Sequence, residues 1–163
     1  NTNFKIFNTI VQNSISDGID VDFGNGEITN SKFNNIAGDA IDLSGSFVNI
    51  ENVNINNIGD KAISAGEETR AKVNRLYISS SRIGIASKDS SIVTGSNVEI
   101  LDCGLFDFTA YQKKSYFTGA FLEIDTISNC KKSLVQHGSE LIINNKTIAK
   151  EKLNIKNLYD DTL

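Results

Sequence analysis

The chain has 163 residues, 39% of them hydrophobic, and a formal net charge of -4. This size and apolar fraction fit one domain with a continuous core. The negative balance argues against nucleic acid as a partner, because phosphate binding needs a clustered basic surface. No apolar run approaches the roughly 20 residues that insertion into a membrane requires.

A fixed interval organises the chain from its first coil, at about residues 4–26, onwards. Isoleucines at positions 19, 41, 63 and 85 are each 22 residues apart. A period of this size over several copies is typical of a solenoid. Within a copy, apolar and polar residues alternate, as in residues 19–23, which is the pattern of a strand with one buried face. Because residues 1–10 already have strand character, we expect the chain to be the C-terminal fragment of a longer rod.

Two columns of amide residues separate these short strands. One consists of Asn8, Asn30, Asn52 and Asn74, and the other of Asn13, Asn35 and Asn57 followed by Ser79. Asn tolerates left-handed backbone geometry, and stacked Asn side chains hydrogen-bond from one rung to the next. The sequence therefore predicts an all-β, right-handed parallel β-helix with about 22 residues per coil. Its coils would number about seven at roughly 4.8 Å spacing.

The period loosens after Ile85. Leu105 and Leu134 are the next candidates for the isoleucine column, and their unequal spacing predicts an inserted loop at residues 106–121. Such loops often form one wall of a binding groove. We thus expect coils over residues 1–148 and, over the more charged residues 149–163, a cap on the end of the core.

The outward positions of the isoleucine strands carry charge. Alternation places Asp20 directly above Asp42, and Asp17 and Asp39 form a second acidic pair that Lys61 follows. Carboxylates about 5 Å apart repel by roughly 1 kcal/mol in water. A Ca²⁺ ion, a raised pKa or a neighbouring lysine would offset that repulsion. Towards the C-terminus the same face carries further charges at Glu67, Lys88, Asp89, Lys113 and Lys114.

The cysteines, the single histidine and the aromatic residues give weaker indications of function than the charged columns. Cys103 and Cys130 are too few for a disulfide framework, and we expect buried free thiols. His137 is the single histidine, which disfavours a histidine metal site. The aromatic residues Tyr111, Tyr116 and Phe117 would either hold the inserted loop together or stack on sugar rings.

Four segments carry a family resemblance: residues 38–44, 59–67, 84–89 and 111–114. Their sequences are GDAIDLS, GDKAISAGE, GIASKD and YQKK. Through them the chain resembles the pectate-lyase-like superfamily of right-handed parallel β-helices. More narrowly, it is similar to β-helix regions of bacterial surface and exopolysaccharide-associated proteins, some of which lie beside spore coat H-type kinase domains.

The resemblance implies an extracellular or cell-envelope location and a polysaccharide partner. It implies catalytic roles for Asp42, Lys61, Lys88 and Asp89, as in a lyase, hydrolase or epimerase, and Ca²⁺ at Asp20 and Asp42. It also implies that the glycan is contacted by Asp39, Glu67, Tyr111, Gln112 and Lys113. The alternative is a structural or adhesive spacer, such as a surface or phage-spike rod, whose charged face is merely solvated. Either kind of rod could form oligomers through its faces or ends.

Overall fold

A computed structural model of the chain describes residues 2–127, 132–152 and 155–159, except for the side chains of residues 156 and 157. These residues form 14 strands and a short 3-10 helix, with no α-helix among them. The strands are β1 (Thr2–Phe7), β2 (Ile10–Ser14), β3 (Ile19–Asp22), β4 (Gly24–Thr29), β5 (Lys32–Ile36), β6 (Ile41–Ser44), β7 (Phe47–Gly66), β8 (Arg70–Lys88), β9 (Ile92–Leu101), β10 (Phe106–Tyr111), β11 (Phe121–Thr126), β12 (Ser133–Val135), β13 (Glu140–Ile143) and β14 (Lys146–Thr147). The 3-10 helix is Ile155–Leu158. No helix in the described part of the chain has the length and apolar character to cross a bilayer.

The strands stack into a parallel β-solenoid of about six turns, each of about 22 residues, which confirms the predicted fold. Three walls enclose the core. The first contains β1, β4, β11 and β13, the second contains β2 and β5, and the third contains β3, β6, β10 and β12. Strand β9 bends from the first wall into the second. The long strands β7 and β8 bend through all three walls. Only the terminal pair β13 and β14 is antiparallel among the named strand pairs.

The isoleucine column lies in the core of the third wall. Ile19 pairs with Ile41, Ile41 with Ile63, and Ile63 with Ile85, as predicted. The next member is Phe108, which is 1% exposed, and the prediction of Leu105 was wrong. Leu134 was also misplaced, because it pairs with Thr109 in an outward-facing column.

The amide columns mark the turns, with a shift in the fourth coil. Asn8, Asn30 and Asn52 have φ near +50°, as do Asn13, Asn35 and Asn57. In the next coil the left-handed residues are Arg75 and Ser80 instead of the predicted Asn74 and Ser79. The shift arises because Phe47 pairs with Arg70, one residue later than a spacing of 22 would give.

The insertion is shorter than predicted. Residues 106–111 form β10, a regular strand of the third wall that pairs with β8. The additional residues are therefore 112–120, between β10 and β11. We call this segment the inserted loop.

Part of the segment predicted to cap the end of the core packs against the side of the solenoid. Ile155, Leu158 and Tyr159 pack sideways against Tyr111, Ile83 and other residues on the outside of the third wall. They do so because that wall presents apolar outward residues there. Ile148, the last residue of the predicted coils, follows β14 directly and packs against the core.

Candidate functional site

The predicted site residues lie on the outer face of the third wall, which we call the outer face. Two columns of outward side chains run along it. The first contains Asp20, Asp42, Ser64, Ala86 and Thr109, and the second contains Asp22, Ser44, Gly66, Lys88 and Tyr111. The columns begin exposed and become buried from Ser64 and Gly66 onwards.

The exposed end of the outer face is acidic. Asp20 pairs directly with Asp42, as predicted, and Asp22 lies on the same rung as Asp20. Partial burial, followed by the charges of Asp22, Asp42 and Asp17, raises the pKa of Asp20. Asp42 is half-buried and makes no hydrogen bond or ion pair with the described residues. These carboxylates are therefore available to a ligand.

Asp17 and Asp39 each accept a hydrogen bond from a backbone nitrogen of the next coil, at the edge of the face. Asp17 Oδ1 accepts a hydrogen bond from the backbone nitrogen of Asp39 at 2.6 Å. Asp39 Oδ1 accepts one from the backbone nitrogen of Lys61 at 2.9 Å. Asp39 is only 7% exposed, so its predicted contact with glycan would require a rearrangement.

Lys61 is buried between two carboxylates. Its Nζ lies 2.5 Å from Asp60 Oδ2 and 3.3 Å from Asp39 Oδ1. Burial disfavours the charged form, yet Asp39 and Asp60 together hold the pKa of Lys61 above its ordinary value. Burial raises the pKa of Asp39, against the attraction of Lys61. Lys61 is thus a charged structural centre, 3% exposed, rather than a free base.

Lys88 has a different environment. It is 7% exposed and makes no hydrogen bond or ion pair with any described residue. Burial lowers its pKa, although the Asp42 carboxylate partly opposes the shift. Its side chain passes over Gly66, where a β-carbon would lie 3.5 Å from Lys88 Cε and 3.9 Å from Nζ.

Tyr111 is fully buried, so its predicted contact with glycan would require a rearrangement. Its hydroxyl oxygen lies 2.6 Å from that of Tyr159, and the Tyr159 ring faces Lys61 Nζ at 5.4 Å and Lys113 Nζ at 4.4 Å. Sequence reasoning missed Tyr159, because nothing in its sequence neighbourhood shows that the C-terminal segment folds back over the outer face.

Asp89 anchors the inserted loop instead of facing solvent. Its Oδ1 accepts hydrogen bonds from the backbone nitrogens of Lys113 at 2.6 Å and Lys114 at 2.8 Å. Asp89 is 1% exposed. The predicted catalytic role therefore lacks an accessible carboxylate, and the residue positions the loop.

Two more predicted residues also hold the loop. Gln112 Nε2 donates to the carbonyl oxygen of Phe117 at 2.5 Å and, more weakly, to that of Lys114 at 3.3 Å. Glu67 forms an ion pair with Lys114. Lys113, in contrast, is exposed.

A groove of about 450 Å³ lies beside the inserted loop. Tyr116, 75% exposed, stands on its loop side, and Glu68 and Arg70 stand on the coil side. The prediction that the insertion forms a wall of a groove agrees with this geometry. Two further grooves, of about 440 and 580 Å³, lie on other surfaces, lined by residues such as Tyr77 and Lys72 respectively.

The metal-ligating capacity of the face is limited. In the described ranges, no three His, Cys, Asp or Glu side chains come together in a way that could hold a metal ion. Asp20 and Asp42 would supply two carboxylates of the six to eight oxygen ligands that Ca²⁺ takes. A Ca²⁺ ion would therefore need most of its ligands from water or from a glycan.

Cys103 and His137 are not part of this face. Cys103 is a free thiol whose Sγ lies 3.1 Å from Ser81 Oγ, and burial raises its pKa to about 11. Cys130 lies outside the described residues. His137 is exposed in a turn.

In comparisons with known proteins, no family model, no curated protein and no solved structure matched the chain significantly. The resemblance to the pectate-lyase-like superfamily therefore stays a prediction from short motifs. What the structure adds to it is the parallel β-solenoid itself.

Proposed function

We propose that the protein binds a polysaccharide along the outer face, from Asp20 and Asp42 towards the inserted loop. One observation carries the proposal. The carboxylates of Asp20 and Asp42 are stacked on adjacent rungs, and the inserted loop forms a groove with an exposed tyrosine, Tyr116. Asp20 and Asp42, on adjacent rungs, offer the same carboxylate contact to two successive units of a polymer. An exposed tyrosine ring offers an apolar surface with a polar tip.

The structure narrows which residues could contact the glycan. Asp20 is exposed and Asp42 and Ser44 are half-buried on the rungs, and Lys113 and Tyr116 are exposed at the loop. Asp39, Lys61 and Asp89 have their side chains engaged within the protein. Mutations at the first group should affect binding without unfolding the rod, whereas those at the second should affect stability first.

A glycan array is the test, run with and without a chelator. Asp42→Ala and Lys113→Ala should each weaken binding, whereas Asp125→Ala and Lys72→Ala should not. The controls remove the same charges from exposed positions on the first wall. No binding to any glycan, together with no Ca²⁺-dependent rise in melting temperature, would overturn the proposal.

Two further expectations belong to the same proposal. Ca²⁺ bridging Asp20, Asp42 and the glycan would make binding sensitive to the chelator. An extracellular or cell-envelope location would place the protein with such a polymer, and fractionation of the source cells would test it.

A second candidate function, a rigid spacer, is supported by a different observation. The Lys61 ammonium is engaged by both Asp39 and Asp60 within the protein, as it would be in a purely structural cluster. A spacer would bind no glycan, and Asp42→Ala would raise its melting temperature at neutral pH by relieving repulsion.

A further inference from the structure

The ammonium group of Lys88 differs from those of the other buried or half-buried lysines on the outer face. Lys61 is paired with Asp39 and Asp60, and Lys114 with Glu67. Lys88 has no such partner among the described residues, although it is as buried as Lys61. A buried cation without a counterion is costly, so its retention points to a use other than stability.

Two buried hydroxyl groups on the outer face have no hydrogen-bond partner among the described residues. Ser64 Oγ, on the same strand as Gly66 and two residues before it, is buried without a hydrogen-bond partner. Thr109 Oγ1, two rungs further along the same column, is also unpartnered. Buried polar atoms without partners are uncommon in proteins, and each needs an explanation. A ligand oxygen near Lys88 would provide one.

The position of Lys88 favours a small ligand. Because Gly66 has no side chain, Lys88 lies directly over it, and a β-carbon there would be 3.5 Å from Lys88 Cε and 3.9 Å from Nζ. Asp42 and Ser44, one rung closer to the open end, are half-buried. Lys88 therefore lies at the boundary between the covered and the open parts of the outer face.

We propose that Lys88 is a reactive amine that captures the carbonyl group of a small aldehyde or of a reducing sugar as an imine. The neutral amine adds to the carbonyl carbon and gives a carbinolamine. The carbon–oxygen bond then breaks, the carbonyl oxygen leaves as water with the two protons from the amine, and the carbon–nitrogen double bond forms. No oxidant or reductant is consumed.

Three features of the site support this chemistry. Burial lowers the pKa of Lys88, which increases the neutral fraction that can attack. The hydroxyl of Ser64 can hydrogen-bond to the oxygen of the carbinolamine. The Asp42 carboxylate is the acidic group that acts most strongly on Lys88, and it can relay the proton to the departing oxygen.

Reductive trapping tests the proposal. The whole protein is incubated at pH 7 with glycolaldehyde and cyanoborohydride, and peptide mass spectrometry measures the modification of each lysine over time. Lys88 should be trapped several-fold faster than Lys72 and Lys5, even though both of those lysines are exposed. If modification instead follows exposure, with Lys72 ahead of Lys88, the proposal is overturned.

A Gly66→Val variant and a second carbonyl compound, maltotriose, test the proposal further. Gly66→Val should crowd the amine and slow the trapping of Lys88 while leaving Lys72 unchanged, and an equal rate at Lys88 would contradict the proposed reaction at this position. Maltotriose, compared with its alditol, tests the reducing sugar as the source of the carbonyl. Trapping by glycolaldehyde alone restricts the proposal to small aldehydes, whereas trapping by both extends it to sugars.

This inference does not depend on polysaccharide binding. The trapping experiment needs no polymer, and the glycan array needs no reductant. Failure of one experiment therefore leaves the other proposal intact.

Discussion

The hydroxyl oxygens of Tyr111 and Tyr159 lie 2.6 Å apart, although 48 residues separate them in the chain. This hydrogen bond joins the C-terminal segment to the outer face, and Leu158, 5% exposed, packs beside it. The tyrosine pair thus decides how much of the outer face is open to solvent.

We expect Tyr159→Phe to lower the free energy of unfolding by about 1–3 kcal/mol, because it leaves the buried Tyr111 hydroxyl without its partner. Tyr111→Phe should cost less, since Tyr159 is only half-buried and can turn its hydroxyl to water. Urea unfolding of both single variants and of the double variant would measure this. If the two effects simply add in the double variant, the hydroxyls do not interact.

Lys61→Met should destabilise the protein by about 3–5 kcal/mol, because it leaves the buried Asp39 carboxylate without its cation. Lys72→Met, at an exposed position, is the control and should stay within about 0.5 kcal/mol of the parent. The pKa of Lys61 is raised, so the stability it supplies is complete below its unfolded-state pKa and is lost as pH rises through the higher folded-state value. Urea unfolding at pH 7 and under strongly alkaline conditions would show both effects.

Lys88→Met should have the opposite sign and raise the melting temperature at pH 7. The pKa of Lys88 is lowered, so at neutral pH the folded state bears the cost of holding its charge, about 1.4 kcal/mol for each unit of lowering. The gain should shrink as pH rises towards the ordinary lysine pKa, where the unfolded chain also loses the proton. A loss of stability at pH 7 would show that Lys88 has a stabilising partner.

Asp20→Asn should raise the free energy of unfolding slightly at neutral pH, by no more than about 0.5 kcal/mol, because exposed charges are well screened. Since the pKa of Asp20 is raised, the parent protein should gain stability from this residue as pH falls through the folded-state pKa towards the unfolded-state value. Thermal melts at low and high salt would test the electrostatic origin. The difference between parent and variant should shrink in high salt.

The amide columns can be tested with a matched pair of neighbouring asparagines. Asn56 Nδ2 donates to Asn34 Oδ1 at 3.0 Å, and Asn57 Nδ2 donates to Asn35 Oδ1 at 2.7 Å, but only Asn57 has a positive φ, of 56°. Asn57→Ala should therefore cost about 1 kcal/mol more than Asn56→Ala, because alanine is disfavoured in left-handed geometry. Asn57→Gly should recover most of that difference. Equal costs for the two alanine variants, measured by urea unfolding, would show that backbone geometry is unimportant at this turn.

The 22-residue interval was sufficient to predict the stacking of the coils. Parallel strands one coil apart pair residue by residue, so a constant spacing in sequence becomes a constant register in space. That is why Asp20 was correctly placed on Asp42 and Ile63 on Ile85. The same logic failed at Arg75 and Phe108, where a coil gains one residue and no local pattern marks the change.

The chemistry of the outer face was only partly readable. The sequence identified which residues point outward, because alternation along a strand is local. It could not show that Lys61 is neutralised by Asp39 and Asp60 while Lys88 is left alone, because that depends on how side chains bend across rungs.

The sequence by itself determined the rod, its period, its turns and the composition of its outward columns, since all of these follow from interactions that repeat at one interval. Only the tertiary structure decided which outward residues are accessible. The return of Leu158 and Tyr159 over the outer face and the anchoring of the inserted loop on Asp89 are long-range contacts outside the repeat. They bury Tyr111 and Asp89 and leave Asp20 and Asp42 open, because burial depends on contacts that no periodic pattern encodes.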